Sequence, residues 1–172
     1  MNPEIRRLRA DEWTRLKQVR LAALADAPYA FSKPLARARD LTDEDWQRVA
    51  REGAGGEVSC GVLAWAGDRP VGLAFGLPDA DDPHRAYLVS MWVAPDHRGG
   101  PVAEQLLLAV EDWARGRGAR ELQAGVTGCN ERAAAFYAKR GYLRRESCGP
   151  RHAATEGCEI VLAKALDRPA VT

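Results

Sequence analysis

The chain has 172 residues, a formal net charge of +1 at pH 7 and 46% hydrophobic residues. This length suits a single domain spanning residues 1–172, with a tail that frays from about residue 167. A charge this close to zero argues against nucleic acid or an anionic membrane as a partner. The amino-terminal segment lacks the apolar core of a signal peptide, and no apolar run reaches the length of a membrane span. We therefore expect a cytoplasmic protein.

The first third of the chain predicts one strand and two helices. The segment EIRRLRA predicts a short strand, after which Asp11 caps a helix that stops before Pro28. The segment APYAFSKPLARARD is expected to be irregular. The segment LTDEDWQRVAREG predicts a second helix, with Thr42 as its N-cap, Asp45 three residues later and GAGG at its end.

The remainder predicts strands separated by two further helices. Apolar runs at residues 58–66 and 71–77 flank the turn GDRP and predict a hairpin. The segment RAYLVSMWVAP predicts a strand buried on both faces, and the helix after RGGP ends near Gly116 or Gly118. RELQAGVTG predicts a strand, CNERAAAFYAKRGY a short helix capped by Asn130, and LRRESC with GCEIVLAKAL a final hairpin. This order of elements indicates a mixed α/β domain around a central sheet.

The cysteines and histidines are scattered along the chain, without a C-x-x-C pair or a cluster. They are Cys60, Cys129, Cys148, Cys158, His84, His97 and His152. We therefore expect no metal site and no disulfide framework, and we interpret the four thiols as reduced.

The turn HRGGPVA, between a strand and a long helix, is a candidate anion site. The first amides of a helix lack partners within it, and glycine lets the backbone approach a ligand closely. Arg98 adds a cation. The plain alternative is that Gly-Gly-Pro simply starts the helix, where proline is common. The chain has neither a nucleotide P-loop motif nor the G-x-G-x-x-G motif of a dinucleotide fold.

Two motifs taken together resemble the GCN5-related N-acetyltransferase family. The segment VSMWVAPDHRGGPVA matches the first motif at Val93, Pro95, Arg98 and Ala103. The segment NERAAAFYAKRGY matches the second at Asn130, Ala133, Phe136, Tyr137, Gly141 and Tyr142. The order of predicted elements matches from about residue 3 to residue 164. One departure is Pro101, which stands where the family usually has its second glycine and so removes one amide donor.

The resemblance implies an α/β (α+β) fold, with a mixed, mostly antiparallel, twisted sheet of about six to seven strands and about four helices. It implies transfer of an acetyl group from acetyl-CoA to a primary amine by direct attack, without an acyl-enzyme. The resemblance does not decide whether the protein forms a homodimer. By position, the residues implied to bind the coenzyme, some of them by strand-like pairing, are Met91, Trp92, Val93, Arg98, Gly99, Gly100, Pro101, Val102, Ala103, Asn130 and Tyr137.

The resemblance also assigns chemical roles, each with a plain alternative. Tyr137 is expected to protonate the departing thiolate, and its alternative is a core aromatic beside Phe136. Asn130 is expected to contact the coenzyme, cap its helix, or do both. Many relatives carry a glutamate base on the strand before the turn, where this chain has Val89 and Ser90. The nearby aspartates could act as a base through water, although we prefer a solvated turn for them; they are Asp79, Asp81 and Asp82.

The acceptor is expected to be a small-molecule amine or an amino acid. Tyr29 and Phe31 are assigned to the acceptor wall, with core packing as the alternative for both. Two other functions stay open: acetylation of a protein N-terminus or lysine, and a non-catalytic module that binds acyl-CoA.

Overall fold

The protein is described here from a computed structural model, which covers residues 2–31, 35–127, 130–145 and 159–167. Within these residues seven strands, β1 to β7, form one sheet. They are Glu4–Arg7, Cys60–Ala66, Arg69–Pro78, Arg85–Val93, Glu121–Thr127, Leu143–Arg145 and Glu159–Ala165. Five α-helices, α1 to α5, flank the sheet. They are Trp13–Asp26, Leu35–Arg39, Asp43–Gly55, Val102–Gly116 and Glu131–Ala138.

The strand order in the sheet is β1-β2-β3-β4-β5-β7-β6. Neighbouring strands are antiparallel, except for β4 and β5, which are parallel. Helix α4 forms the connection between these two strands. The sheet is therefore mixed and mostly antiparallel, as the family resemblance implies. The predicted final hairpin is confirmed for its described residues, since Leu143 pairs with Ala163 and Arg145 with Val161.

The sheet lies between two layers of helices, and glycines on β3 allow one of them to come close. A Cβ at Gly76 would lie 2.5 Å from the Trp113 ring, and one at Gly72 would lie 3.1 Å from Leu106. Both glycines therefore permit α4 to rest on this face of β3. Phe75 points to the opposite face, because side chains alternate along a strand. There a Cβ at Gly53 of α3 would lie 3.1 Å from the Phe75 ring.

Local capping sets the start of several helices. Thr42 and Asp45 form the predicted capping box, with Asp45 N 3.2 Å from Thr42 Oγ1 and Thr42 N 3.0 Å from Asp45 Oδ2. Gly56 ends α3 with a left-handed φ of 78°. The prediction that Asp11 caps α1 is wrong, because a 3-10 turn at Ala10–Glu12 precedes the helix and Glu12 is the N-cap.

The segment expected to be irregular between α1 and α3 contains a short helix, α2. This prediction is wrong because five residues present too few periodic positions to signal a helix in sequence. The buried face of α2 is little more than Ala38, and the helix packs beside α1.

The prediction that β4 is buried on both faces is also wrong. Ala86, Leu88 and Trp92 are buried, whereas Tyr87 and Val89 are only partly covered. Val89 borders a cavity, which accounts for the incomplete covering of this side chain.

Several predictions concern residues outside the described ranges: Cys129, Cys148, Cys158 and His152, and most of the tail from residue 167. Cys60 is described; it is free and buried in β2. Across the described residues, none of the helices combines the length and hydrophobicity that crossing a bilayer requires.

Candidate functional site

A β-bulge in β4 organises the site. Leu73 pairs with Trp92 and Phe75 pairs with Val89, so Ser90 and Met91 together oppose the single residue Ala74. Ser90 has φ of 58°, a left-handed conformation that is uncommon for a residue with a side chain. Bulges of this kind redirect side chains and often lie beside functional sites.

Just before the bulge, the pairing of β4 with its parallel neighbour β5 ends. The register between them runs from Arg85 opposite Glu121 to Leu88 opposite Ala124. Strand β4 nevertheless continues to Val93, and β5 continues to Thr127. The gap between the diverging strands leaves room for an extended ligand to lie along β4.

A cavity of about 370 Å³, here called the β5-side cavity, is lined by the last residues of β4 and by residues at the starts of α4 and α5. It brings together most of the residues predicted to bind the coenzyme: Met91, Trp92, Val93, Arg98, Gly99, Gly100, Ala103, Asn130 and Tyr137. Pro101 and Val102 are not among its described lining residues. Val102 points into the core, where its side chain is buried, and Pro101 is the exposed N-cap of α4.

The start of α4 supplies backbone donors to this cavity. Gln105 N donates to Pro101 O at 2.9 Å, so the amides of Val102, Ala103 and Glu104 precede the first hydrogen bond of the helix. Gly99 has φ of 80°, and a Cβ at Gly99 or Gly100 would meet no atom within 4 Å. The turn is therefore an open concave surface lined by peptide groups, which suits an anion.

Arg98 lines the same cavity, but its side chain is already engaged. Its Nε donates to Val93 O at 2.8 Å, and its guanidinium forms an ion pair with Asp26 of α1. Trp92 Nε1 also donates to Asp26, at 2.8 Å. The bond from Trp92, together with the charge of Arg98, holds the pKa of Asp26 below its ordinary value. Arg98 therefore fastens the end of β4 to α1, and Asp26 offsets its charge.

Tyr137 of α5 reaches the cavity from the other side. Its hydroxyl lies 3.5 Å from Met91 Sδ, and the residue is 7% exposed. Burial raises the pKa of this phenol above its ordinary value, so the hydroxyl keeps its proton throughout the neutral range. Asn130 caps α5, since its side chain accepts a hydrogen bond from Ala133 N at 3.1 Å, and it lines the cavity as well.

A second cavity, of about 500 Å³ and here called the α1-side cavity, adjoins β4 just before the bulge. Val89 and Ser90 line it, whereas Met91, Trp92 and Val93 line the β5-side cavity. Its wall is mostly apolar, with side chains from α1, α3 and β3 such as Leu16, Trp46 and Phe75. Among the described residues of this wall, the charged ones are Arg20, Arg37 and Glu52.

The two residues assigned to the acceptor wall have different outcomes. Phe31 is 8% exposed and is not among the described lining residues of either cavity. Instead, the guanidinium of Arg20 lies 4.6 Å above its ring. Tyr29 lies in the 3-10 turn Pro28–Ala30, and its side chain is outside the described part of the structure.

The aspartates after β3 build a turn, but it is not the fully solvated turn that we preferred, because the Asp79 side chain is only 4% exposed. Asp79 accepts hydrogen bonds from Asp81 N at 2.8 Å and Asp82 N at 3.3 Å, and it also bonds Tyr87 and Arg85. The bond from Tyr87, followed by the other donors, lowers the pKa of Asp79. Its carboxylate therefore already has four donors, which makes it a weak base.

Comparison with known proteins decides the family. A family model described as Acetyltransferase (GNAT) family matches residues 12–142, which is most of the chain. The chain belongs to the GNAT acetyltransferase family. The chain is therefore an acyltransferase by family, and its seven-stranded mixed sheet with flanking helices is the GNAT fold. A search of curated proteins found no match.

Solved GNAT structures share this fold at low sequence identity. The PaiA N-acetyltransferase from Thermoplasma acidophilum, in complex with coenzyme A, is 18% identical with a TM-score of 0.74, covering 96% of this chain and 99% of that one. A GNAT acetyltransferase from Streptococcus pneumoniae is 18% identical with a TM-score of 0.77, at the same coverage. YncA from Salmonella typhimurium, solved with its cofactor acetyl-CoA, is 16% identical with a TM-score of 0.75, covering 100% and 98% of the two chains.

Motif matching missed several charged residues that line the two cavities. Arg132 and Arg140 of the α5 region line the β5-side cavity, and Arg140 stacks 3.9 Å above the Phe136 ring. Arg20 lines the α1-side cavity. A signal for Arg20 exists in the sequence, because it interrupts the apolar series Leu16 and Leu24 at one-turn spacing.

Proposed function

We propose that the protein is an acetyl-CoA-dependent N-acetyltransferase that moves an acetyl group to a primary amine of a small molecule or amino acid. One observation carries the proposal: two cavities meet β4 at its bulge. Val89 and Ser90 line one, and Met91 to Trp92 line the other. Two substrates held in these cavities would approach each other at the same few residues of β4. We expect a cytoplasmic enzyme of one domain, with a homodimer left open.

The β5-side cavity fits coenzyme A. The open turn at Gly99 and Gly100, followed by the free amides of α4, suits the pyrophosphate group. Pro101 removes one donor and leaves those of Val102 and Ala103. The gap between β4 and β5 suits a pantetheine arm that pairs with Met91 to Val93. Relatives of the same fold hold coenzyme A or acetyl-CoA.

Bound acetyl-CoA would supply an activated acetyl thioester, and this chain's residues would do the rest. A backbone amide of residues 91–93 would donate to the carbonyl oxygen as negative charge develops on it. Tyr137 lines the β5-side cavity, which supports the proposal that it donates its proton to the departing sulfur. Its raised pKa ensures that it is protonated but makes it a weaker acid than a free phenol. Cys60 is buried in β2, which agrees with direct attack by the amine.

An ammonium substrate must lose two protons from its nitrogen during the reaction. One C–N bond forms and one C–S bond breaks; one proton ends on the thiol and the other goes to solvent. The first must leave before attack, because an alkylammonium has a pKa of about 10.4. Glu52 is the carboxylate among the described lining residues of the α1-side cavity, so it or a water there is the acceptor we propose.

The test is a panel of amines assayed for acetyl-CoA-dependent thiol release, with products identified by mass spectrometry. The panel contains small alkylamines, amino acids and a lysine peptide with a free N-terminus. We expect thiol release with the small amines and little thiol release with the peptide. Acetylation of the peptide alone would contradict the acceptor class. Tight acetyl-CoA binding without release for any amine would indicate a binding module instead of an enzyme.

A further inference from the structure

The α1-side cavity contains one side chain that does not match its surroundings. Leu16, Arg20 and Leu24 follow each other at one-turn spacing on α1, and all three line the cavity. Two of them are apolar, as are most residues of the facing wall. Arg20 therefore places a guanidinium on an otherwise apolar helix face that looks into the cavity.

The charge of Arg20 is poorly compensated within the described part of the chain. Its Nη1 is buried and has no hydrogen-bond partner there. Its guanidinium rests above the Phe31 ring, 4.6 Å from the centroid, which holds it in place without supplying an acceptor. Burial lowers the pKa of Arg20 to about 10, so it remains positive at neutral pH. A buried donor of this kind is costly unless something accepts from it.

The other charges of the cavity wall also favour an anionic group on the ligand. Arg37 of α2 also lines the cavity, and Glu52 of α3 is the opposing charge, so the described lining residues carry two cations and one anion, a net charge of +1. A guanidinium presents parallel N–H groups that match the two oxygens of a carboxylate. The apolar remainder of the wall, including Trp46 and Phe75, suits a hydrocarbon or aromatic body. A volume of about 500 Å³ lies within the range of small-molecule sites.

We propose that the acceptor is a small apolar primary amine that also carries a carboxylate, and that Arg20, assisted by Arg37, binds that carboxylate. The inference rests on the proposed function for the acetyl transfer itself. It goes further in naming the group that selects the substrate. The amine then lies toward Val89 and Ser90, where this cavity meets the end of β4.

The test uses pairs of amines that differ only by a carboxylate: L-phenylalanine with phenethylamine, and L-leucine with 3-methylbutylamine. For the parent protein, kcat/KM is expected to be about ten- to hundredfold higher for the carboxylate member of a pair, as for a hydrogen bond to a charged group. Arg20→Met is expected to remove this preference, so that kcat/KM for the two members of a pair differs by less than about threefold. Arg20→Lys is expected to restore part of it. Arg15→Met, on the exposed face of the same helix, is the matched control and should change nothing.

Calorimetry of the same ligands in the presence of coenzyme A separates this inference from the proposed function. Carboxylate binding that depends on Arg20, without acetyl transfer, would support recognition and overturn the transferase. Acetyl transfer at a rate that depends on neither the substrate carboxylate nor Arg20 would overturn the proposed carboxylate recognition, while the proposed transferase activity would stand. Absence of binding for both carboxylates would also overturn recognition. If Arg20→Met does not fold, Arg37→Gln on exposed α2 gives the same comparison. We expect this variant to lower the kcat/KM ratio of the carboxylate amine to the plain amine several-fold. An unchanged ratio would contradict the inference.

Discussion

Tyr137 and Tyr142 pack edge to face, with ring centroids 5.4 Å apart, yet their hydroxyls have different surroundings. The Tyr137 hydroxyl lies at the β5-side cavity with Met91 Sδ at 3.5 Å. The Tyr142 hydroxyl donates to Glu111 Oε1 at 2.9 Å, and this fully buried carboxylate also accepts from Lys164 Nζ at 2.9 Å and Arg115 at 2.9 Å. The Tyr137 hydroxyl therefore adjoins the cavity proposed for the coenzyme, whereas the Tyr142 hydroxyl completes a buried polar network.

This contrast gives a matched pair of variants. Tyr137→Phe should lower turnover by about a hundredfold or more, as for loss of a general acid. Its affinity for acetyl-CoA and its melting temperature should hardly change. Tyr142→Phe should lower the free energy of unfolding by about 1–3 kcal/mol, because a buried carboxylate loses a donor. Steady-state kinetics and thermal unfolding of both variants check this. Equal turnover in Tyr137→Phe and the parent would exclude the hydroxyl from the mechanism.

Acetyl-CoA should stabilise the folded protein by about 2.7 kcal/mol at a hundredfold excess over Kd. Gly100→Leu should abolish most of this gain, because the new side chain enters the open turn, where it meets no protein atom. Gly116→Leu is the control at the far end of α4, also in open space. Thermal-shift series with acetyl-CoA measure both. No rise in the melting temperature of the parent would contradict the assignment of this cavity.

Pro101→Gly should change coenzyme A affinity by less than tenfold. The variant gains one backbone donor, of about 1 kcal/mol, but loosens the start of α4 by a similar amount. Calorimetry with coenzyme A measures the result. A hundredfold change in either direction would show that Pro101 has a different place in the turn.

Stability should fall as the pH rises above about 10, because burial raises the pKa of Tyr137 and Tyr142 above the ordinary 10.0. The folded chain then keeps protons that the unfolded chain releases, so each group costs about 1.4 kcal/mol per pH unit in this range. Between about pH 9 and pH 11, the urea concentration at the unfolding midpoint should fall less steeply with pH for Tyr137→Phe than for the parent protein. Identical slopes for parent and variant would mean that this phenol is not shielded from water.

Arg20→Met should raise the melting temperature of the ligand-free protein by a few degrees. Removing a buried, uncompensated charge should stabilise by about 1 kcal/mol or more, which exceeds the lost contact with Phe31. The control Arg15→Met, on the exposed face of α1, should change stability by less than about 0.5 kcal/mol. A lower melting temperature for Arg20→Met would indicate a structural role for the guanidinium.

Local signals in the sequence determined much of this protein. The capping box of Thr42 and Asp45 and the cap at Asn130 are formed between residues three apart, so sequence spacing alone reveals them. The Gly-Gly-Pro turn before α4 is equally local. The order of the strands and the longer helices followed from such signals, although the five-residue α2 did not, and the two motifs then identified the family.

Tertiary structure alone decided the parts of the site that depend on distant residues. Asp26 meets Arg98 across 72 positions, and Glu111 meets Lys164 across 53. The bulge at Ser90 arises from the pairing of β4 with β3, and Arg20 enters a cavity only because α1 lies over that pair. No local pattern encodes these contacts, since each depends on which elements pack together and in which register.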